Sequence, residues 1–333
     1  MGCANSADKD KFVIIVDRFL RAIESGNPNA IYSTSGKYLR TRGINEVVIE
    51  VQGLSLNPLG YAVWLGKIKS FFFLHKSLSA SIKAMEQLFE RYEISSLHVI
   101  CAKGYIDILR YYLPYYIEEV TEFPEVQEIL LSRISYIAEE TFTNVETKPK
   151  YQPIHLAVIQ EQVNIITLVY KYFETKAFVP KTLDLGYNEA NSGENCALLA
   201  CRYGKYRMVK MLHQTCKLNF RVKNYRGLNA INILIEGSRE RIDKSYFYCL
   251  RYLVETVCLD VEHNYEHNLL WAEDNEMVEY LEFKLKEIGV NTSKKQLQQL
   301  GTKPLLRKMP SEDMEKPERP LFYSEYESEP EAS

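Results

Sequence analysis

The sequence predicts an all-α protein in which short helix pairs repeat along the chain. Its 333 residues include only 15 glycines and 12 prolines, and long β-branched runs are few. Helix breakers and strand signals are therefore both scarce. A short apolar helix, a break and a second apolar helix recur several times. The composition, 46% hydrophobic and 26% charged, is that of an ordinary globular protein.

Four segments carry the recurring pattern most clearly. Each begins with a small or polar pair, continues as a short apolar helix, breaks, and resumes as a second helix. They are NPLGYAVWLGKIKSFFFL (57–74), SSLHVICAKGYIDILRYYL (95–113), QPIHLAVIQEQVNIITLVY (152–170) and NCALLACRYGKYRMVKML (195–212). The expected breaks are Gly66, Gly104, Glu161 and Gly204. Two less regular copies are NAINILIEG (229–237) and HNLLWAEDNEMVEYLEF (267–283), the latter with Asn268 at the position of Pro58.

The second copy shows why these units must stack. Leu97, Ile100 and Cys101 recur at intervals of three and four residues, as on one face of a helix. Gly104 lies between the two predicted helices, where a left-handed residue lets the chain reverse. A single helix pair has too small a core to be stable alone, so neighbouring units must bury a continuous core together.

The copies resemble the ankyrin repeat, whose signature is T-P-L-H-x-A with a period of about 33 residues. The closest matches are Leu97-His98 and Pro153-Ile154-His155-Leu156-Ala157. The resemblance implies an ankyrin-type helical solenoid of about six irregular repeats over residues 12–301, with a partner held on the concave surface formed by loop tips and first helices. It also implies a structural motif in which the histidine links neighbouring repeats: Leu97, His98, Gly104, Pro153, His155, Ala157 and Gly204.

Uneven intervals between the copies require insertions. The largest is expected near 115–150, where EVQEILLSRISYIAEE (125–140) has the spacing of an extra amphipathic helix. A second, near 236–245, contains Arg239, Glu240 and Arg241. Insertions in repeat proteins often map to the binding face, so these three residues are candidate partner contacts, with a solvated charged loop as the alternative. EVVIEVQ (46–52) alternates like a short strand in a hairpin-like excursion.

The first residues carry a lipidation pattern. Residues 1–11 are polar and expected to be flexible, without a secretory signal peptide. Gly2 and Ser6 match the N-myristoylation pattern, and Cys3 could be palmitoylated beside it. This start resembles the dually acylated starts of signalling kinases and G-protein α subunits, and implies anchoring through Gly2 and Cys3. A polar tip without lipid is the alternative.

The last residues, 302–333, are rich in Pro and Glu and are expected to be disordered or extended. Within them, RPLFYSEYE (319–327) places Leu321, Phe322 and Tyr323 beside acidic residues. These three residues form a candidate linear motif that orders on a partner or on the protein itself. Plain disorder is the alternative.

Two places have residues suited to catalysis. HNYEH (263–267) fits H-x-x-E-H, in which His263 and His267 would bind zinc and Glu266 would act as base. In repeat register it lies on the loop entering the last repeat, where helical geometry is not expected. His98 and Cys101 could form a base and its nucleophile, but a histidine that recurs at 155 indicates a structural role. We expect no catalytic residue, no cofactor and no metal.

Charge and cysteine content narrow the function further. The formal net charge is -3, which argues against nucleic-acid binding through a broad basic face. Seven scattered cysteines indicate a reducing compartment, and no apolar run approaches the length of a membrane span. The sequence thus predicts a non-enzymatic protein-binding scaffold or adaptor, cytoplasmic and peripheral on the inner face of a membrane. The alternatives are a structural subunit of a large cytoskeletal, ciliary or organellar assembly, and a zinc hydrolase using 263–267.

Overall fold

A computed structural model describes residues 4–92, 94–122, 151–176, 179–239 and 243–299, with side chains for 11–92, 94–118 and the last three ranges. This part of the chain is predominantly helical, as predicted, with sixteen α-helices and two short strands. Several predictions concern residues outside it: Gly2, Cys3, the helix over 125–140, Glu240, Arg241, Leu321, Phe322 and Tyr323.

The first helices of the chain are α1 (Ala4–Ser25) and α2 (Pro28–Leu39), followed by a hairpin of β1 (Ile49–Val51) and β2 (Leu54–Leu56). The strands are antiparallel with Ile49 opposite Leu56, so the alternating stretch 46–52 does contain a strand. α1 begins within residues 1–11, which were expected to be flexible. Residues 4–11 contain neither Gly nor Pro, so nothing in them interrupts the helix.

Fourteen further helices follow in the described ranges. They are α3 (Pro58–Trp64), α4 (Ile68–Ser77), α5 (Ile82–Glu90), α6 (Ser96–Lys103), α7 (Ile106–Glu122), α8 (Pro153–Ile159), α9 (Val163–Phe173), α10 (Cys196–Arg202), α11 (Tyr206–Gln214), α12 (Ala230–Ser238), α13 (Ser245–Glu255), α14 (Tyr265–Trp271), α15 (Asn275–Glu287) and α16 (Lys294–Gln299). None of the helices in these ranges is both long enough and apolar enough to cross a membrane.

From α3 onward the helices form pairs that pack in chain order. The first helices contact one another in the order α3, α6, α8, α10, α12 and α14, which we call the first-helix row. The second helices do the same in the order α4, α7, α9, α11, α13 and α15, which we call the second-helix row. α5 belongs to neither row and packs on α3, β2 and α6. A continuous apolar core joins the pairs.

A fixed spacing relates the two helices of most pairs. The second helix begins ten positions after the first in the pairs α3–α4, α6–α7, α8–α9, α10–α11 and α14–α15. In α12–α13 the spacing is fifteen, because the chain is longer between residues 236 and 245. This spacing corrects the alignment of the last copy. Asn264 has a left-handed backbone (φ 54°), α14 begins at Tyr265, and Tyr265 rather than Asn268 occupies the position of Pro58.

The residue between the two helices has a left-handed backbone in four of these pairs. Its φ angle is 69° at Gly66, 72° at Gly104, 53° at Glu161 and 60° at Gly204. At Gly66 a Cβ would also lie 2.5 Å from the ring of Tyr105, so glycine makes room for the next pair as well as for the turn.

The first helices are enclosed on every side. All residues of Ser96–Ala102, Pro153–Ile159 and Cys196–Cys201 are buried, whereas the apolar spacing indicated only one buried face. These helices are only seven or eight residues long, and each packs between its neighbours in the row and its own second helix. The expectation that they help form an open partner-binding surface is therefore wrong for these three helices.

Candidate protein-binding surface and its supporting residues

His98 and His155 close the first turns of α6 and α8. The backbone N–H of Ser95 donates to Nδ1 of His98 at 2.9 Å, and that of Gln152 donates to Nδ1 of His155 at 3.2 Å. Nε2 of His155 lies 2.9 Å from the carbonyl oxygen of Tyr187, in the segment leading to α10. The His155 ring thus uses both nitrogens to connect separate parts of the backbone.

Burial determines the charge of these rings. It lowers the pKa of His98 to about 3 and the pKa of His155 to about 4, so both rings are neutral near pH 7. Cys101, three residues after His98, is fully buried, and burial raises the pKa of its thiol. A raised thiol pKa disfavours the thiolate, which is the reactive form of cysteine.

Asn232 closes the first turn of α12 in the same way. The sequence motif did not predict this, because the motif contains histidine at that position. The backbone N–H of Asn229 donates to Oδ1 of Asn232 at 3.1 Å, and the N–H of Asn232 donates back to Oδ1 of Asn229 at 3.0 Å. Nδ2 of Asn232 then donates to Oδ1 of Asn268 in α14 at 2.6 Å. Two asparagines at this spacing, before an apolar run, are the signal that could have identified it.

The residues of the HNYEH segment contact different neighbours. His263 lies in the turn before α14, and its Nε2 is 3.4 Å from the carbonyl oxygen of Gly227. His267 lies in α14, at the position of His98 and His155 in the corrected register, and its ring stacks on Trp271 at 4.9 Å. Glu266 lies in the first turn of α14. Over the described ranges, no group of three or more His, Cys, Asp or Glu side chains could hold a metal ion.

A network of charged side chains connects the pairs near the ends of the first helices. Arg202, the last residue of α10, donates through Nε to Glu194 at 2.6 Å, and its Nη2 is 3.7 Å from Glu236 at the end of α12. Arg226 also binds Glu236. Burial opposes the charge of Arg202, but Glu194 and Glu236 outweigh that effect and raise its pKa. Sequence spacing does not predict this network, because stacking brings its members together.

Arg239, a candidate partner contact, is engaged within the chain. Its Nε donates to Glu273 at 3.0 Å, and its guanidinium lies 4.4 Å from the centre of the Trp271 ring. Its side chain is still 41% exposed. A partner would therefore meet this residue as part of a fixed cluster with Trp271 and Glu273.

Three of the six second helices carry an exposed aromatic side chain. Phe72 in α4 is 49% exposed, Tyr248 in α13 is 51% exposed and Phe283 in α15 is 57% exposed. Rings on neighbouring helices contact one another at 5.3 Å between Phe72 and Tyr111, and at 6.0 Å between Tyr206 and Tyr248. Exposed aromatic residues on a helical surface are frequent anchors of protein interfaces, so this row is the candidate protein-binding surface.

A groove opens in this surface between the start of α2, α4 and α7. We call it the α4–α7 groove. It is an open groove with a volume of about 670 Å³. Its apolar lining consists of Pro28, Ile68, Phe72, Phe73 and Tyr111. Its charged residues are Lys69, Asp107 and Arg110, of which the last two form an ion pair at 3.2 Å.

No protein-family model matches the sequence, and no curated protein matches it.

Proposed function

We propose that the chain is a non-enzymatic protein-binding scaffold or adaptor made of about six irregular ankyrin-type repeats. One observation carries the proposal: the same side-chain hydrogen bond to the backbone recurs at the third residue of three first helices, α6, α8 and α12. His98, His155 and Asn232 each accept a hydrogen bond from the backbone N–H of the residue before the helix. A side chain that recurs in several units supports a structural role, since a catalytic residue is needed once.

Recognition is assigned to the second-helix row. The first helices α6, α8 and α10 offer no exposed surface between their first and last residues, so they leave little for a partner to contact. The second helices carry the exposed rings of Phe72, Tyr248 and Phe283. Large aromatic side chains bury much apolar area at little entropic cost, which suits them to recognition.

Lipids at Gly2 and Cys3 would determine where the scaffold acts. The support for this step is the sequence MGCANS at residues 1–6. A myristoyl group alone gives only marginal membrane binding, and a palmitoyl group on Cys3 would supply the second chain that stable anchoring needs. The scaffold would then be cytoplasmic and peripheral on the inner face of a membrane.

Anchoring is tested by expressing the full chain with an alkyne analogue of myristate and separating membranes from soluble protein. Wild type should incorporate the analogue and sediment with membranes, whereas Gly2→Ala should do neither. Cys3→Ser should still incorporate the analogue but be released more readily. A wild type without the analogue, together with a membrane-bound Gly2→Ala variant, contradicts the proposal.

Recognition is tested by proximity labelling around the full chain in cells. Wild type is compared with a double variant that carries both Phe72→Ser and Tyr248→Ser. The proposal expects a defined partner set whose labelling falls several-fold in the variant. Lys171→Ser is the matched control, because Lys171 is an exposed residue of α9 in the same row. A partner set that is unchanged in the aromatic variant would remove the second-helix row as the binding surface.

A further inference from the structure

We propose that the α4–α7 groove binds the C-terminal segment 319–327 of this same chain. Leu321, Phe322 and Tyr323 would contact its apolar lining, and the glutamates that follow them would contact Lys69 and Arg110. The inference goes beyond the proposed function and depends neither on acylation nor on the repeat family. An external partner with similar apolar and acidic residues would have to compete with this segment for the groove.

The lining of the groove selects for apolar anchors. Phe72 projects into solvent with 49% of its surface exposed and contacts Tyr111 edge-on at 5.3 Å. Ile68 and Phe73 continue the apolar surface along α4. A concave space of about 670 Å³ with this lining takes a few apolar side chains, since burial of the aromatic surface is the main gain.

The charges around the groove select for an acidic occupant. The charged residues of α4, IKSFFFLHKS, are Lys69 and Lys76, both basic. Lys69 forms no ion pair in the part of the chain that the structure describes. Arg110 is paired with Asp107, but both side chains are more than half exposed, so the pair is held weakly and Arg110 remains able to bind another carboxylate.

The segment 319–333 has both properties. Leu321, Phe322 and Tyr323 are consecutive, and Glu325, Glu327, Glu329 and Glu331 follow at every second residue. Arg319 is the single basic residue of this segment. Three apolar anchors followed by regularly spaced carboxylates match an apolar groove with basic residues at its edge.

The chain is long enough for this contact. α16 packs on α14, so the path to α4 takes one step to α15 and five more along the second-helix row, which at 8–10 Å per step is roughly 48–60 Å. About 20 residues separate Gln299, the end of α16, from Arg319, and an extended chain of that length spans up to roughly 66 Å. An acyl chain on Gly2 is a less suitable occupant of the groove. In the sequence Gly2 precedes the first residue of α1, a helix of about 33 Å, whereas the last residue of α1 adjoins Pro28 in the groove.

Photo-crosslinking in the full chain tests the proposal. Phe322 is replaced by p-benzoylphenylalanine, the purified protein is irradiated, and the cross-linked peptides are mapped by mass spectrometry. We expect cross-links to α4 and α7 within a single chain. Lys69→Glu should lower the yield of these cross-links at least fivefold. Adding both Glu325→Lys and Glu327→Lys to the Lys69→Glu variant should restore the yield. Lys210→Glu, at an exposed lysine of α11 in the same row, is the control and should change nothing.

Several results would overturn the proposal. Cross-links that map elsewhere, an absence of cross-links, or a yield unaffected by Lys69→Glu each contradict it. A mixture of isotopically labelled and unlabelled chains distinguishes a second copy from the same chain, and cross-links mainly between the two isotopic forms would also contradict it. Phe72→Ser, with circular dichroism showing an intact fold, provides an independent variant that should lower the yield. Tyr248→Ser, equally exposed on α13, should not.

Discussion

Nε2 of His155 lies 2.9 Å from the carbonyl oxygen of Tyr187, while Nδ1 of the same ring accepts the backbone N–H of Gln152. One buried side chain thus closes the first turn of α8 and connects it to the segment that leads into α10. Both contacts are made by a fully buried ring, which makes them costly to lose.

Replacement of His155 should therefore destabilise the whole stack. We expect His155→Ala to lower the free energy of unfolding by about 2–4 kcal/mol, from the lost packing and the two lost hydrogen bonds. His155→Asn should cost less, because Asn232 shows that an amide oxygen can accept the same backbone N–H. Urea denaturation measures the order. Equal stabilities for His155→Ala and wild type would contradict a linking role.

Acid should weaken the fold through His98 and His155. Their pKa values in the folded chain are about 3 and about 4, below the usual 6.5. As the pH is lowered, these histidines therefore take up protons in the unfolded chain before they do so in the folded chain. The stability from the neutral rings is complete above pH 6.5 and is lost as the pH falls towards about 4 for His155 and about 3 for His98. At about 1.4 kcal/mol per pH unit, each ring costs about 2 kcal/mol at pH 5.

This pH dependence is measured by urea denaturation at pH 8 and pH 5. The double variant His98→Asn, His155→Asn is the control. Without the two imidazoles, its free energy of unfolding should differ much less between pH 8 and pH 5. A wild type that is as stable at pH 5 as at pH 8 would show that the rings are not held neutral.

Glu161 offers a test of the turn between paired helices. Its φ of 53° matches the angles of Gly66, Gly104 and Gly204, but its Cβ makes that conformation unfavourable. We expect Glu161→Gly to stabilise the protein by about 0.5–1 kcal/mol, after allowing for the greater freedom of glycine in the unfolded chain. Gln160→Gly, at a φ of -85°, should instead destabilise it. Calorimetric melting of the two variants distinguishes the signs.

Replacing an arginine of the charged network should destabilise the protein more than replacing an arginine of a surface ion pair. Glu194 is only 1% exposed, so Arg202→Met leaves its buried carboxylate without an opposite charge and should cost about 3–5 kcal/mol. Arg251→Met removes an exposed pair with Glu255 and should have little effect on the free energy of unfolding. Adding Glu194→Gln to Arg202→Met should recover part of the loss. Equal costs for the two arginine variants would mean that the network is not buried.

The repeated unit could be predicted from the sequence because its determinants are local. Gly66, Gly104 and Gly204 mark a reversal that follows each short apolar helix, and their backbone angles are left-handed. The start of the last pair was misplaced because Asn264 adopts the same left-handed conformation without being a glycine. α5 was overlooked, although Ser81 caps its first turn and accepts the N–H of Ala84.

Features that depend on stacking could not be predicted from local pattern. Apolar spacing identified one face of α6, but neighbours in both rows bury the remaining faces as well. Arg226 and Glu236 are ten residues apart, and Arg202 joins them only because α10 and α12 pack together. Asn232 differs from histidine in sequence but presents the same acceptor to the backbone.

Whether His98 and His155 have a structural role is measured most directly by nuclear magnetic resonance of the imidazole nitrogens in the full chain between pH 4.5 and 8. The prediction is that His98 and His155 stay neutral to about pH 5, with the hydrogen on Nε2 and Nδ1 accepting from the backbone. Rings that titrate near pH 6.5, or that carry the hydrogen on Nδ1, would contradict this role and return His98 to the candidates for chemistry.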